Sequence, residues 1–513
     1  MTAYVPYERV ARVTWLPAAA LVGVFFALPL VVLTVDGLTL GDMGRVFGKA
    51  FSSDVWWFTT WQAMASTMTT MLVAMPATWL IARHDFRGRR ALVALLTLPF
   101  LLPTVVVGVA LLAILPSNVH YTAIAVIAAH TYFNLAVFVR VVGPAWAALP
   151  DSLLYAAHSL GASPFVAFRT ITVPLIRRAL VSALGITFLF CFTSYGVVRI
   201  LGGPRLATVE TEIYLRAVAL GDISTAIGLG ILQMIFLAFA ALFISRLGGS
   251  RQFALGQVAT QRRTNRLVAP LASIYAVAVL APLLVVFMRS LVVDGSFSWA
   301  GWEQVFTGRF GDAVVQSLEY AATAALLTVT IGYGVAHTIV HRRLRILETA
   351  SATTLTVSSV TLGLALIVTF DTPPFDLRSW WLITPIAHSL VALPIVVRTI
   401  TPVVAAVPPG LGHAAATLGA SPARSWWSVQ WPLVRPAVLA AAAMSFAVSV
   451  GEFGATSFLT RRSSETMPVA IDRLLGRPGD VNQLGAYAMA SLLIVVCIGA
   501  VALLDRGRVG DQR

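Results

Sequence analysis

Two histidines, one acid and one lysine stand where their chemistry is at odds with their surroundings. His130 and His388 lie inside apolar runs, a setting that suits a metal ligand, a proton relay or a buried packing hydrogen bond. Glu452 sits in Ser449-Val-Gly-Glu-Phe453-Gly454-Ala-Thr456, within another apolar run. An acid there is costly, so a functional or paired role is the default. Lys49 is the only lysine. A phosphate-cradling loop needs Gly-x-x-x-x-Gly-Lys-Ser/Thr, so that backbone amides and the lysine surround the anion. Gly44-Arg-Val-Phe-Gly48-Lys49-Ala50 has the wrong spacing and no hydroxyl, which argues against ATP chemistry in this chain. His84, His158, His341 and His413 fall between apolar runs and form no ligand cluster, so no metal site is expected. Cys191 and Cys497 lie far apart in apolar runs and imply no disulfide framework. The reading is of a non-enzymatic chain with no catalytic, cofactor or metal constellation.

The elements that must carry these residues are membrane helices. Of 513 residues, 58% are hydrophobic and 11% charged, with a mean hydropathy of +0.84, far from the composition of a soluble domain. The net charge of +14 is held in short arginine clusters between apolar runs, a topological pattern and not a nucleic-acid footprint. The apolar runs predict an all-α polytopic protein with about twelve spans. These lie near 14–35, 57–82, 91–115, 121–142, 180–201 and 223–245, then near 267–293, 313–340, 347–370, 380–400, 437–460 and 484–504. The first run is too long for a signal-peptide core and reads as an uncleaved span. Arginines crowd at Arg9/Arg12, Arg83–Arg90, Arg169–Arg178, Arg246–Arg266, Arg342–Arg345, Arg424–Arg435 and Arg506–Arg513, which are alternate connections. By the positive-inside rule that side is cytoplasmic, with both termini inside. The expected organisation is a first six-span half at 1–245, a basic cytoplasmic linker at 246–266 and a second half at 267–513.

The halves are copies. His130-Thr-Tyr-Phe-Asn134-Leu-Ala-Val-Phe-Val-Arg140 aligns with His388-Ser-Leu-Val-Ala-Leu-Pro-Ile-Val-Val-Arg398, 258 residues later. The same offset carries Pro144 onto Pro402, Pro150 onto Pro408, Gly161 onto Gly419, Pro174 onto Pro432 and Gly196 onto Gly454. Six spans in each half with one orientation make a parallel duplication, an arrangement that generally places a transport pathway at the interface of the repeats. The longest match is in a connection: Tyr155-Ala156-Ala157-His-Ser-Leu-Gly161-Ala-Ser-Pro164, ending at Pro174, against His413-Ala414-Ala415-Ala-Thr-Leu-Gly419-Ala-Ser-Pro422, ending at Pro432. Each begins as a short helical stretch and reaches a glycine that can end a helix. A loop that only joined two spans would need no such matched pair.

These loops resemble the EAA loop of the membrane subunits of binding-protein-dependent ABC importers, where Glu-Ala-Ala, three residues and Gly lead to Ile-x-Leu-Pro. Ala156, Ala157, Gly161 and Pro174 match, as do Ala414, Ala415, Gly419 and Pro432. The Glu position holds Tyr155 and His413, and the endings read Ile171-Thr-Val-Pro174 and Val429-Gln-Trp-Pro432. The resemblance implies a type I (MetI-like) importer permease in the bacterial inner membrane, whose loops seat in a homodimeric ATPase. It implies that ATP-Mg is bound by that separate subunit and that solute arrives from an extracytoplasmic binding protein. The binding protein would dock on outer loops including Gly202–Asp222 and Thr460–Asp480. The length and Phe190–Tyr214, with Leu201-Gly-Gly-Pro204 leading to Thr208-Val-Glu210-Thr-Glu-Ile-Tyr214, look most like thiamine permeases, with iron(III) and phosphonate permeases as alternatives.

Candidate pathway or gate residues are Asn134, Tyr195 and Gly196 in the first half and Glu452, Phe453 and Gly454 in the second. For Glu452 a structural or gating role is favoured over a cation-meeting one, because Gly-Glu-Phe-Gly-Ala-Thr also occurs in permeases resembling molybdate and sulfate importers. For His130 and His388 a duplicated packing bond is favoured over a metal site. The rival class is a secondary transporter driven by an ion gradient, which would have no use for two coupling loops.

Overall fold

The computed structural model describes residues 16–39, 48, 54–203, 205–248, 267–293, 295–342, 357–371, 376–377, 379–461 and 464–509. Beyond residue 248 the expected linker lies outside the described residues. The first half supplies α1 (Leu16–Asp36), α2 (Asp54–Arg83), α3 (Arg89–Leu101), α4 (Thr104–Ile114), α5 (Ala123–Ala147), α6 (Asp151–Ser159), α7 (Pro164–Phe192), α8 (Gly196–Leu201), α9 (Val209–Tyr214) and α10 (Ile223–Leu247). The second supplies α11 (Val268–Arg289), α12 (Ala300–Phe306), α13 (Gly308–His341), α14 (Ser359–Phe370), α15 (Ile383–Ala406), α16 (Pro409–Thr417), α17 (Pro422–Val450), α18 (Gly454–Leu459), α19 (Met467–Leu475) and α20 (Asp480–Ala500). A two-residue hairpin, Val292–Val293 with Ser296–Phe297, follows α11.

Among the described residues, ten helices are long and apolar enough to cross a membrane, or eleven if the pair α3 and α4 is counted as one span. With that bent pair and the partly described run at 347–370, these are the runs of the about twelve spans expected of an all-α polytopic membrane protein. The run at 91–115 is not a straight span: α3 and α4 meet at 105°, where Leu102 and Pro103 leave the helical region. Proline supplies no amide and restricts the residue before it, which breaks the helix there. The run at 347–370 is described only as the twelve-residue α14. The spans expected at 180–201 and 437–460 start earlier. They are α7 and α17, and each stops at a break before a six-residue helix, α8 or α18.

The elements form two compact units. One contains residues 1–50, 213–231 and 299–513; the other contains 51–212 and 232–298. The first span of each sequence half is therefore grouped with helices of the other half. In the first unit, Phe26 of α1 is buried with Leu362, Leu366 and Phe370 of α14 and with Ile386 and Leu390 of α15. Ala18 is packed with Ile331 and Val335 of α13 and with Leu393 and Val397 of α15. In the second unit, α11 packs on α2, α3 and α4, and the Tyr132 hydroxyl of α5 donates to the Val279 carbonyl of α11 at 2.8 Å. Lipid is as apolar as leucine, so such contacts rely on close packing and interhelical hydrogen bonds. Gly185 and Gly332 show the closeness: a Cβ on either would lie 2.6 Å from Ile244 or Val396.

Tyr132→Phe is expected to lower unfolding stability in detergent by about 0.6 kcal/mol and not more than about 2, the range of interhelical bonds in membrane proteins. No change would remove that bond as the tie between α5 and α11.

Candidate coupling loops and helix breaks

Each loop that follows α5 or α15 is built the same way. In α6 the helix stops in a Schellman motif: Gly161 N–H donates to the His158 carbonyl, and Ala162 N–H to the Ala157 carbonyl, both at 3.0 Å. In α16, Gly419 N–H donates to Ala416 and Ala420 N–H to Ala415, again at 3.0 Å. Gly161 and Gly419 have φ of +82° and +79°, where only glycine is unstrained. Ser163 and Ser421 then cap the next turn, accepting from Val166 N–H and Arg424 N–H at 3.3 Å. Pro174 and Pro432 sit within α7 and α17, at the second residue after a wide turn. A wide turn precedes each, with Val173 N–H donating to the Phe168 carbonyl and Trp431 N–H to the Trp426 carbonyl. Five-residue spacing there accommodates a ring that would clash with the carbonyl four residues back.

The anchors differ while the shape is kept. Arg83 ion-pairs with Asp151 at the start of α6 and donates to the Leu149 carbonyl at 3.0 Å. Position 409 holds proline instead, and the second loop is held by aromatic contacts. Trp426 stacks on Trp431 at 5.4 Å, and its Nε1 donates to the Tyr333 hydroxyl at 2.9 Å.

Tyr155 and His413, at the Glu position of the motif, are exposed, as are Ala156 and Ala414; Ala157 is buried and Ala415 half-buried. Sequence reasoning passed over Leu160 and Leu418, which precede the two glycines and are 88% and 87% exposed. Apolar residues at equivalent positions, both bare, are a signal that the 258-residue alignment carries.

The candidate pathway residues gather at the two helix breaks. α8 packs on α4 and α18 on α14. A Cβ on Gly196 would stand 2.3 Å from Thr104 Oγ1, and one on Gly454 2.2 Å from Ser359 Oγ. Small residues thus let each short helix approach its bed at backbone distance. Val209 N–H donates to Thr59 Oγ1 at 3.0 Å, and Met467 N–H donates to Ser317 Oγ at 2.7 Å. These hydroxyls are another equivalent pair, and they tie α9 to α2 and α19 to α13. Tyr195 and Phe453 are buried beside the two breaks.

Around Glu452 the break is fully bonded. One carboxylate oxygen accepts from Ala455 N–H and the other from Thr456 N–H, both at 2.9 Å, so the side chain caps α18. The Thr456 hydroxyl also donates to it at 2.5 Å. His388 reaches Ser449 Oγ through Nδ1 and Thr456 Oγ1 through Nε2, each at 2.7 Å. With the proton on Nε2, a single chain of donors runs Ser449, His388, Thr456, Glu452. Both carboxylate oxygens of Glu452 are thus engaged at the N-terminus of α18. In the other unit His130 Nδ1 meets Ser66 Oγ at 3.1 Å. Asn134 donates to the His130 carbonyl at 2.9 Å and to Cys191 Sγ at 3.5 Å. Both histidines are thus held by hydroxyls within their own units. Among the described residues, no group of three or more His, Cys, Asp or Glu is placed to hold a metal ion.

A duplicated all-α membrane protein, with broken helices in the core of each unit and a matched exposed loop in each half, has the design of a transporter's membrane subunit. The family of binding-protein-dependent transport system inner membrane components matches residues 74–249 and 328–506, and the chain belongs to that family, with its domain present twice. It is 27% identical over 476 residues to the thiamine transport system permease protein ThiP of Brucella abortus, covering 88% of this chain and 86% of that one. It is 25% identical over 494 residues to the probable ABC transporter permease protein y4fN of Sinorhizobium fredii, covering 87% and 85%. It is 25% identical over 383 residues to the ferric transport system permease protein FbpB of Actinobacillus pleuropneumoniae, covering 71% and 55%.

Gly454→Ala is expected to cost about 1–3 kcal/mol through overpacking, read as a lower unfolding temperature in detergent, and Ser359→Ala in the same chain should recover part of it. Equal unfolding temperatures for Gly454→Ala and the parent would contradict the close contact.

Proposed function

We propose that the chain is the permease of an ATP-driven importer that moves thiamine or a derivative across the inner membrane. The observation that carries the coupling reading is the matched pair of loops. Each ends in a left-handed glycine beside a bare leucine, a shape suited to insertion into a groove. Burying one leucine side chain stabilises a complex by about 1.5–3 kcal/mol, and two equivalent loops suit the two grooves of a homodimeric ATPase. Both termini and both loops face the cytoplasm in this reading, because the arginine clusters lie on that side.

A loaded binding protein docks on the opposite side, on loops including Gly202–Asp222 and Thr460–Asp480. ATP-Mg, bound by the ATPase, closes that dimer and draws the two loops together, which turns the pathway outward; hydrolysis resets it. The permease residues take no part in hydrolysis. Their task is to carry motion from α6 and α16 into the long helices α7 and α17, which the wide turns before Pro174 and Pro432 keep continuous.

The thiamine reading rests on the Phe190–Tyr214 segment and on the relative named as a thiamine permease. A relative named as a ferric permease supports iron(III) as the second reading. Uptake of labelled thiamine and of iron(III) by a strain lacking this chain separates them: loss of thiamine uptake alone is expected, and loss of iron uptake alone would overturn the solute. Gly161→Asp combined with Gly419→Asp should abolish uptake while the protein stays inserted. Normal uptake by that double variant would sink the coupling role.

A further inference from the structure

The two helix breaks are built alike and bonded differently. At the offset of 258 residues, Ser449, Glu452 and Thr456 correspond to Cys191, Ser194 and Val198. All three partners that bind His388 in one unit are therefore replaced around His130 in the other. The consequences are visible atom by atom. His388 uses both ring nitrogens, whereas the buried His130 Nε2 has no hydrogen-bond partner. That is the same nitrogen that His388 directs at Thr456 and, at 3.4 Å, at Glu452. The Ser194 hydroxyl is buried and also without a partner. The residue just before each short helix, Tyr195 or Phe453, gives it no side-chain cap; one position earlier, the Glu452 carboxylate holds two amides of α18, whereas the Ser194 hydroxyl holds none of α8.

The seating of the two short helices is matched. Each short helix has six residues and begins with a glycine seated on a hydroxyl-bearing residue, Thr104 or Ser359. Each is followed by a helix whose first amide is tied to a hydroxyl on α2 or α13. The difference lies in the bonds beside each histidine: before α8, Gln62 Nε2 donates to the Cys191 carbonyl at 3.0 Å and Asn134 to Cys191 Sγ at 3.5 Å, and no carboxylate stands where Glu452 does in the other unit.

We propose that the breaks have unequal duties: Glu452, Thr456 and His388 clamp the α17–α18 break shut, and the α11-side unit's break between α7 and α8, with no counterpart of Glu452 and with His130 Nε2 unpartnered beside it, is the one that opens and closes. Movement there carries α4, because Gly196 and Gly108 seat α8 against α4; a Cβ on Gly108 would stand 2.9 Å from Ile200. The 105° bend between α3 and α4 gives that pair a place to turn. A broken helix at membrane depth is tolerated only where other groups satisfy its amides. The Glu452 carboxylate does this in one unit; in the other, Ser194 at the equivalent position does not. Glu452 is accordingly a positioning residue for transport and touches no solute.

This inference rests on the chain being a transporter that changes shape, but its test reads the breaks without any solute. Amide hydrogen exchange of the full chain in lipid nanodiscs should show residues 196–199 exchanging at least about tenfold faster than 454–457, since exchange reports local opening. Ser194→Glu with Val198→Thr should rebuild the clamp on His130, slow exchange at 196–199 by about tenfold and reduce uptake in cells. Glu452→Gln should raise exchange at 455 and 456. Equal protection of the two breaks in the parent chain, or unchanged exchange at 196–199 in the double variant, would overturn the proposal. The double variant removes no native hydrogen bond, so it stays informative if Glu452→Gln fails to fold. Changed exchange with normal uptake would contradict the link to transport and leave the solute reading untouched.

Discussion

A bilayer offers no hydrogen bonds to the ends of a broken helix, and this chain breaks helices in both of its repeats. Each end must be satisfied from within the protein, and that requirement explains residues that otherwise look scattered. Pro103 ends one helix where α4 begins. Thr104 and Ser359 supply hydroxyl-bearing beds for Gly196 and Gly454. Thr59 and Ser317 take the first amides of α9 and α19, and Glu452 takes two amides of α18. Thr59 and Ser66 on α2 are buried where they meet groups of other helices, the Val209 amide and His130 Nδ1, while the buried Thr67 and Thr70 donate to the Ala63 and Ser66 carbonyls of α2 itself.

The same economy of partners shapes the loops between spans. A helix that must stop sharply and turn back uses a left-handed glycine, because two carbonyls then receive amides from the residues just beyond. Gly161 and Gly419 do this with identical hydrogen-bond lengths, although an ion pair anchors one loop and aromatic stacking the other. Shape is therefore the shared quantity and anchoring chemistry is free to vary. Leu160 and Leu418 stay exposed because neither is needed to hold its own loop.

The duplication, the matched loops between spans and most spans were legible in the sequence, because proline, glycine and histidine at a fixed offset survive divergence and long apolar runs are strong signals. The breaks were not. Hydropathy counts side chains, and Leu102-Pro103, Thr193-Ser-Tyr195 and Gly451-Glu-Phe453 lie inside runs that remain apolar on average. The glycines that seat the short helices follow a second register: Gly108 and Gly363, like Thr104 and Ser359, are 255 residues apart and not 258. A comparison at a single offset misses them. The grouping of α1 and α11 with helices of the opposite half was also invisible, since an apolar helix surface does not declare its partner. Glu452 was read as structural or gating, and the geometry gives the means, a carboxylate spent on a helix terminus.

Co-purification shows whether the two loops grip an ATPase. Leu160→Asp with Leu418→Asp alters two side chains that are 88% and 87% exposed, and substitutions at such positions usually change stability by about 0.5 kcal/mol or less. The account expects the double variant to keep the parent unfolding temperature and to lose the ATPase from the purified complex. Retention of the ATPase at the parent ratio would contradict it.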